Sequence, residues 1–174
     1  NGAGKTTAFN VITGFLEPTM GTIRYRGELL NDRKPHEIAE LGVVRTFQKT
    51  SVFGGCTVFD NILIGLHRQG KASPLQIVFG LGSVKKEERF LREQAKGILE
   101  FSSLLNRAEE MASDLPYGEQ RLLEVAVALA TNPTLLLLDE PVSGMNPSET
   151  ESFMEMVAKI KARGTTILLV EHDM

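Results

Sequence analysis

Four consecutive leucines, Leu135-Leu136-Leu137-Leu138, run straight into two acids, Asp139 and Glu140. The run is too short for a helix of ordinary length, and it lacks the alternation of a strand with one wet face. It suits a strand buried on both sides, as in parallel sheets covered by helices above and below. The acids would then stand at the carboxyl end of that strand, where open α/β sheets place their ligands.

The flanking sequence agrees with an α/β order. Asn146-Pro147-Ser148-Glu149 carries a cap residue, a first-turn proline and an acid at the third position, which together start a helix. Phe153, Met156, Val157 and Ile160 follow at helical spacing, Gly164 ends the helix, and Thr165 to Val170 reads as a second buried strand. Upstream, Lys5 to Phe15 reads as a helix and Gly21 to Arg26 as a half-exposed strand turned by Gly27. Pro35 to Leu41 reads as a short helix, and Gly42 to Phe47 as a strand.

The middle third has a different texture. Helices are expected over Thr57 to Leu66, Lys85 to Glu100 and part of Ser103 to Met111, with a loop over Gly70 to Ser83. An apolar helix, Arg121 to Ala130, then stops at Asn132-Pro133. Strands alternating with helices predict a mostly parallel sheet with helices on both faces, plus a helical insertion.

A chain of 174 residues, 42% hydrophobic and 24% charged, suits one globular domain with a subdomain. The net charge of −3 gives no electrostatic basis for nucleic acid or anionic lipid as the main partner. Cys56 is the only cysteine, so no disulfide forms within the chain, and a small, partly buried thiol is the expected role. No apolar run approaches the ~18 residues that cross a bilayer, and Asn1 opens no signal-peptide pattern.

The chemistry gathers at the ends of these elements. Asn1-Gly2-Ala3-Gly4-Lys5-Thr6-Thr7 supplies the end of the phosphate-loop pattern G-x-x-x-x-G-K-[ST], whose first glycine would fall before Asn1. Gly2 and Gly4 let backbone N–H groups approach an anion, and the helix that follows turns its positive end toward it. Lys5 can bridge β- and γ-phosphates, the Thr6 hydroxyl is a natural Mg²⁺ ligand, and Thr7 lies toward the α-phosphate. Asp139 can hold the metal through water, and Glu140 can polarise an attacking water. Either element alone could be a capped helix or a solvated turn; together they indicate nucleoside triphosphate hydrolysis. A guanine-selecting Asn-Lys-x-Asp is absent, and Arg89 and Arg92 sit on an ordinary amphipathic helix, not an arginine-rich lid.

Leu115-Pro116-Tyr117-Gly118-Glu119-Gln120-Arg121, about twenty residues before Asp139, decides the branch. Here the chain resembles the ATP-binding subunits of ABC transporters. Within that family, Pro116 to Arg121, Gly144-Met145-Asn146-Pro147 and Val170-Glu171-His172-Asp173-Met174 resemble the LivG type, which serves branched-chain amino-acid importers. Relatives importing urea or short amides look alike.

The resemblance implies a P-loop NTPase fold with a nucleotide-binding α/β core at residues 1–56 and 119–174 and a helical subdomain at 57–118. It implies ATP and Mg²⁺ as ligands, with Asn1, Gly2, Ala3, Gly4, Lys5, Thr6 and Thr7 in the Walker A loop and Asp139 closing Walker B. Gln48 matches the Q-loop glutamine that touches the metal beside Thr6 and Asp139, Glu140 the catalytic carboxylate, and His172 the switch histidine. Ser143 to Asn146 falls at the D-loop. Tyr117, Gly118 and Glu119 lie in the signature motif that faces the nucleotide of a second ATPase subunit, identical or different. His36 and His67 have no such match and are expected at the surface.

Further implied partners are integral membrane permease subunits and, indirectly, a solute-binding protein, with no nucleic acid. The implied location is the cytoplasmic face of the membrane, as a peripheral subunit. Two positions depart from the family pattern. Pro116 replaces a serine whose hydroxyl binds the opposing γ-phosphate, and Asn146 replaces an aspartate. By resemblance the strand before Walker A and the last C-terminal elements lie outside these residues, so residues 1–174 alone are expected to bind ATP weakly. The competing functions are an ABC ATPase for lipid export or another non-import task, and a nucleotide-binding regulatory module that does not turn over.

Overall fold

Helix α1, Lys5–Ile12, is followed by a small hairpin of β1, Arg24–Tyr25, and β2, Glu28–Leu29. The computed structural model describes residues 4–46, 52–66 and 82–171. Arg26 and Gly27 connect the two strands at φ 51° and 87°, the left-handed pair that a two-residue hairpin turn requires. The sequence reading foresaw the turn at Gly27 but not β2, whose two residues carry no periodic signal. Helix α2, Pro35–Glu40, then leads into strand β3, Val43–Arg45.

Among the described residues three helices come next: α3, Val58–Leu66; α4, Gly82–Phe101; and α5, Tyr117–Leu129. Between α4 and α5, where part of Ser103 to Met111 was expected to be helical, only two single 3₁₀ turns form, Leu105–Arg107 and Ala112–Asp114. Ser103, at φ 61°, turns the chain out of the helix and prevents propagation. Gly82 and Ser83, assigned above to a loop, belong to α4. Helix α5 starts four residues ahead of Arg121, because Pro116 stands at its N-cap and the polar Tyr117 to Gln120 form its first turn.

Strand β4, Leu135–Asp139, helix α6, Pro147–Ala162, and strand β5, Thr166–Val170, complete the elements among the described residues. The Asn146 side chain accepts from the Glu149 N–H and the Glu149 carboxylate accepts from the Asn146 N–H, so α6 begins with the expected capping box. The main sheet has the order β3-β4-β5, all parallel. Its register pairs Arg45 with Leu137 and Asp139 with Val170.

β4 is the wall between two cores. Leu136 and Leu138 face a cluster that includes Val58, Ile62, Leu99, Leu123, Phe153 and Ile160. Leu137 faces the other side, with Phe9, Leu30, Ile38 and Val43. This period-two alternation with both faces covered explains why a strand can be leucine throughout. Each of these buried leucines contributes about 1.5–3 kcal/mol of transfer free energy. β5 is different: none of its residues is fully buried, and Leu168 is 40% exposed. The expectation of a second strand buried on both faces therefore fails, because β5 forms the edge of the described sheet and pairs only with β4.

Candidate functional site

Helix α1 begins on Gly4, which is left-handed at φ 75° with open space where a Cβ would stand. Among the described residues no side chain caps the helix, and its first turn holds no acid; such a helix start carries the positive end of the dipole. Thr6 and Thr7 are exposed. Lys5 is half-buried, and its Nζ donates to the Glu171 carbonyl oxygen at 3.0 Å. That bond sets the start of α1 over the carboxyl end of β5.

Asp139 and Glu140 lie at the same end of the sheet. Asp139 is the last residue of β4 and is buried. Its Oδ2 accepts from Arg45 Nη2 at 2.7 Å, with the two side chains only 6% and 1% exposed for Arg45 and Asp139. Arg45 Nη1 donates to Asn10 Oδ1 at 2.6 Å, and the guanidinium lies 5.3 Å from the centre of the Phe9 ring. One arginine on β3 thus joins the end of β4 to the second turn of α1. Glu140 turns left-handed at φ 47°, a conformation that costs a side-chain-bearing residue about 1–2 kcal/mol. Its N–H donates to the Val170 carbonyl at 2.8 Å, extending the β4–β5 ladder by one bond.

Asp139 Oδ1 is buried and accepts no hydrogen bond among the described residues. A buried carboxylate oxygen without a donor is costly, and a hard divalent cation is the kind of group that satisfies it. Among the described residues no three His, Cys, Asp or Glu side chains converge on a metal position. Mg²⁺ is characteristically bound through one or two carboxylates, water and substrate phosphates, and the buried Asp139 Oδ1 is one such carboxylate oxygen. The residues present fit the ion.

The signature segment occupies a second location. Tyr117 begins α5, and its hydroxyl donates to the Ser143 carbonyl at 3.0 Å. The same oxygen accepts from Arg121 Nε at 3.0 Å and Nη2 at 2.9 Å. Arg121 Nη1 also donates to Glu124 at 2.8 Å. Burial pulls the Arg121 guanidinium down, and the Glu124 carboxylate and Tyr117 hydroxyl more than reverse it, so its pKa stands raised. Gly118 is buried against Glu149, where a Cβ would lie 2.7 Å from the carboxylate stem. Glu119 lies 3.1 Å from Arg107 Nε. The fold therefore links Tyr117 to the loop after Glu140, while no described contact joins Tyr117, Gly118 or Glu119 to Lys5 or Asp139.

Asn1, Gly2, Ala3, Gln48 and His172 lie outside the described residues, as does His67. His36 is exposed and Cys56 is a half-buried free thiol, as expected. Three groups at the site carry no sequence expectation: the Asn10 and Arg45 side chains and the Glu171 carbonyl. Only Arg45 left a signal, as the lone charge closing the apolar run Val43-Val44 in a strand that pairs with the leucine strand.

The family model for ABC transporters matches residues 1–143. The chain is 43% identical to the high-affinity branched-chain amino acid transport ATP-binding protein LivG of Escherichia coli K12, covering 100% of this chain and 69% of that protein. It is equally similar, at 43% with 100% and 69% covered, to the corresponding protein BraF of Pseudomonas aeruginosa. Among solved structures, an ATP-binding cassette of an ABC transporter in its ADP conformation superposes with a TM-score of 0.82 at 37% identity. That alignment covers 100% of this chain and 68% of the cassette. The uncapped start of α1, the buried acid at the end of a central parallel strand and these likenesses agree: the chain belongs to the ABC transporter family, as one of its ATP-binding cassettes.

Proposed function

We propose that this ATPase drives uptake of branched-chain or related amino acids through a separate membrane permease. The observation that carries the chemistry is the convergence of Lys5, Asp139 and Glu140 at one end of the parallel sheet, beneath an uncapped helix start. The cargo class rests on the 43% identity to LivG and BraF over the whole of this chain.

In this proposal residues 1–56 and 119–174 form the nucleotide-binding core and 57–118 the helical subdomain. The backbone of Asn1, Gly2, Ala3 and Gly4 wraps the β- and γ-phosphates, with Lys5 bridging them and Thr7 toward the α-phosphate. Thr6, Gln48 and Asp139 hold Mg²⁺, which when bound neutralises charge on the phosphate oxygens. Glu140 orients a water and accepts its proton as the water oxygen bonds to the γ-phosphorus. The bond from that phosphorus to the bridging oxygen breaks, and ADP and phosphate leave. His172 contacts the γ-phosphate. Tyr117, Gly118 and Glu119 face the nucleotide of a second cassette, so turnover needs a dimer. Pro116 offers that nucleotide no hydroxyl, which weakens closure without removing Lys5, Asp139 or Glu140.

No helix among the described residues is long and apolar enough to cross a membrane. The cassette in this proposal sits on the cytoplasmic face, held by its permease, with a solute-binding protein delivering cargo. The test is phosphate release by the intact protein reconstituted with its permease in liposomes. Turnover should rise with a loaded branched-chain amino-acid-binding protein, and Glu140→Gln should lower it about 100-fold or more. Wild-type turnover no greater than that of Glu140→Gln would sink the hydrolysis, and stimulation by a lipid in place of the loaded binding protein would sink the import assignment.

A further inference from the structure

Arg45 belongs to none of the phosphate-loop, Walker B or signature motifs, yet it is the side chain most deeply committed to Asp139. Burying an arginine at the end of an apolar strand is costly unless its charge and its donors are used. Here they are used in two directions. Nη2 holds Asp139 Oδ2 on β4, and Nη1 holds Asn10 Oδ1 on α1, while Phe9, also on α1, lies beside the guanidinium plane.

The two arms have different effects. Fixing Oδ2 stops the Asp139 carboxylate from rotating and leaves its other oxygen, Oδ1, buried and without a hydrogen-bond donor among the described residues. Gripping Asn10 fixes the spacing between the end of β4 and the helix that carries Lys5, Thr6 and Thr7. A planar fork can do both at once, whereas an ammonium is a point charge on a flexible stem.

From this geometry, and resting on the ATPase reading above, we infer that Arg45 is a positioning residue for the divalent cation. It selects Asp139 Oδ1 as the metal-facing oxygen and sets that oxygen at a fixed place relative to the phosphate-loop helix. Residues behind a metal ligand typically change metal affinity by about 10–100-fold when lost.

The intact protein, with ADP present, is titrated with Mn²⁺ and bound ion is read by electron paramagnetic resonance. Nucleotide binding without metal is measured separately, with a fluorescent ATP analogue in EDTA. Arg45→Met should raise the Mn²⁺ concentration for half-saturation about tenfold and leave metal-free nucleotide binding unchanged. Arg45→Lys should fall between Met and wild type, since it keeps the charge and loses the fork. Asn10→Ala, which spares the Arg45–Asp139 pair and secures the test if Arg45→Met does not fold, should shift Mn²⁺ binding the same way by less.

Unchanged Mn²⁺ half-saturation in Arg45→Met, or equal weakening with and without metal, would overturn the inference and leave Arg45 a structural tie. Tighter Mn²⁺ binding would overturn it by making Arg45 a competitor of the ion. A wild-type protein that bound nucleotide with no metal dependence would overturn the ATPase reading together with this one, an outcome distinct from the others.

Discussion

Asn61 shows how a polar side chain can be buried without penalty. It is 1% exposed, yet all its hydrogen-bonding directions but one are used. Its Oδ1 accepts from Phe53 N–H at 2.8 Å, and its Nδ2 donates to the Phe53 carbonyl at 3.1 Å and the Thr57 carbonyl at 2.9 Å. The amide side chain imitates a strand partner for Phe53 and anchors the chain five residues past Gln48 to α3. Asn61→Leu should lower stability by about 1–3 kcal/mol, read from the urea midpoint of the intact protein. A midpoint unchanged from wild type would mean that water replaces these bonds at no cost. Residues of this kind are hard to see in sequence. The Asn146 capping box was legible because its partners are three residues apart, whereas Arg45 reaches Asp139 across 94 positions and no local pattern records that.

At the scale of elements, α3 and α5 pack closely because Gly65 permits it. A Cβ there would lie 2.9 Å from Ala130 Cβ and 2.9 Å from the Val127 carbonyl oxygen. Gly65→Ala therefore has to push the two helices apart. The predicted loss is about 1–3 kcal/mol, seen as a lower thermal midpoint by circular dichroism, although alanine is the better helix former; a raised midpoint would refute the close approach. Helices α3 and α6, strand β4 and the short helix α2 all formed where the sequence indicates them. Two other stretches did not. β2 has two residues, and the segment after Ser103 makes only 3₁₀ turns, because tertiary contacts rather than local propensity decide such stretches.

For the molecule as a whole, the α/β order and the ligand end of the sheet were readable from the alternation of elements around Leu135 to Glu140. The mechanical link between the two halves of the site was not. Tyr117, at the start of α5, is held by Arg121 and in turn holds the Ser143 carbonyl, three residues beyond Glu140. Tyr117→Phe removes this bridge and keeps the ring. It should lower maximal ATP turnover by a barrier of about 0.5–2 kcal/mol with little change in the ATP concentration for half-maximal rate. Wild-type turnover in Tyr117→Phe would show that the bridge carries no coupling.

The bend after β4 has a consequence for how this protein can change. Glu140 occupies a left-handed position, φ 47°, in which glycine would rest more easily. The backbone conformation alone would therefore favour glycine there. Under the proposed catalytic role of Glu140, heat tolerance and turnover pull that one codon in opposite directions.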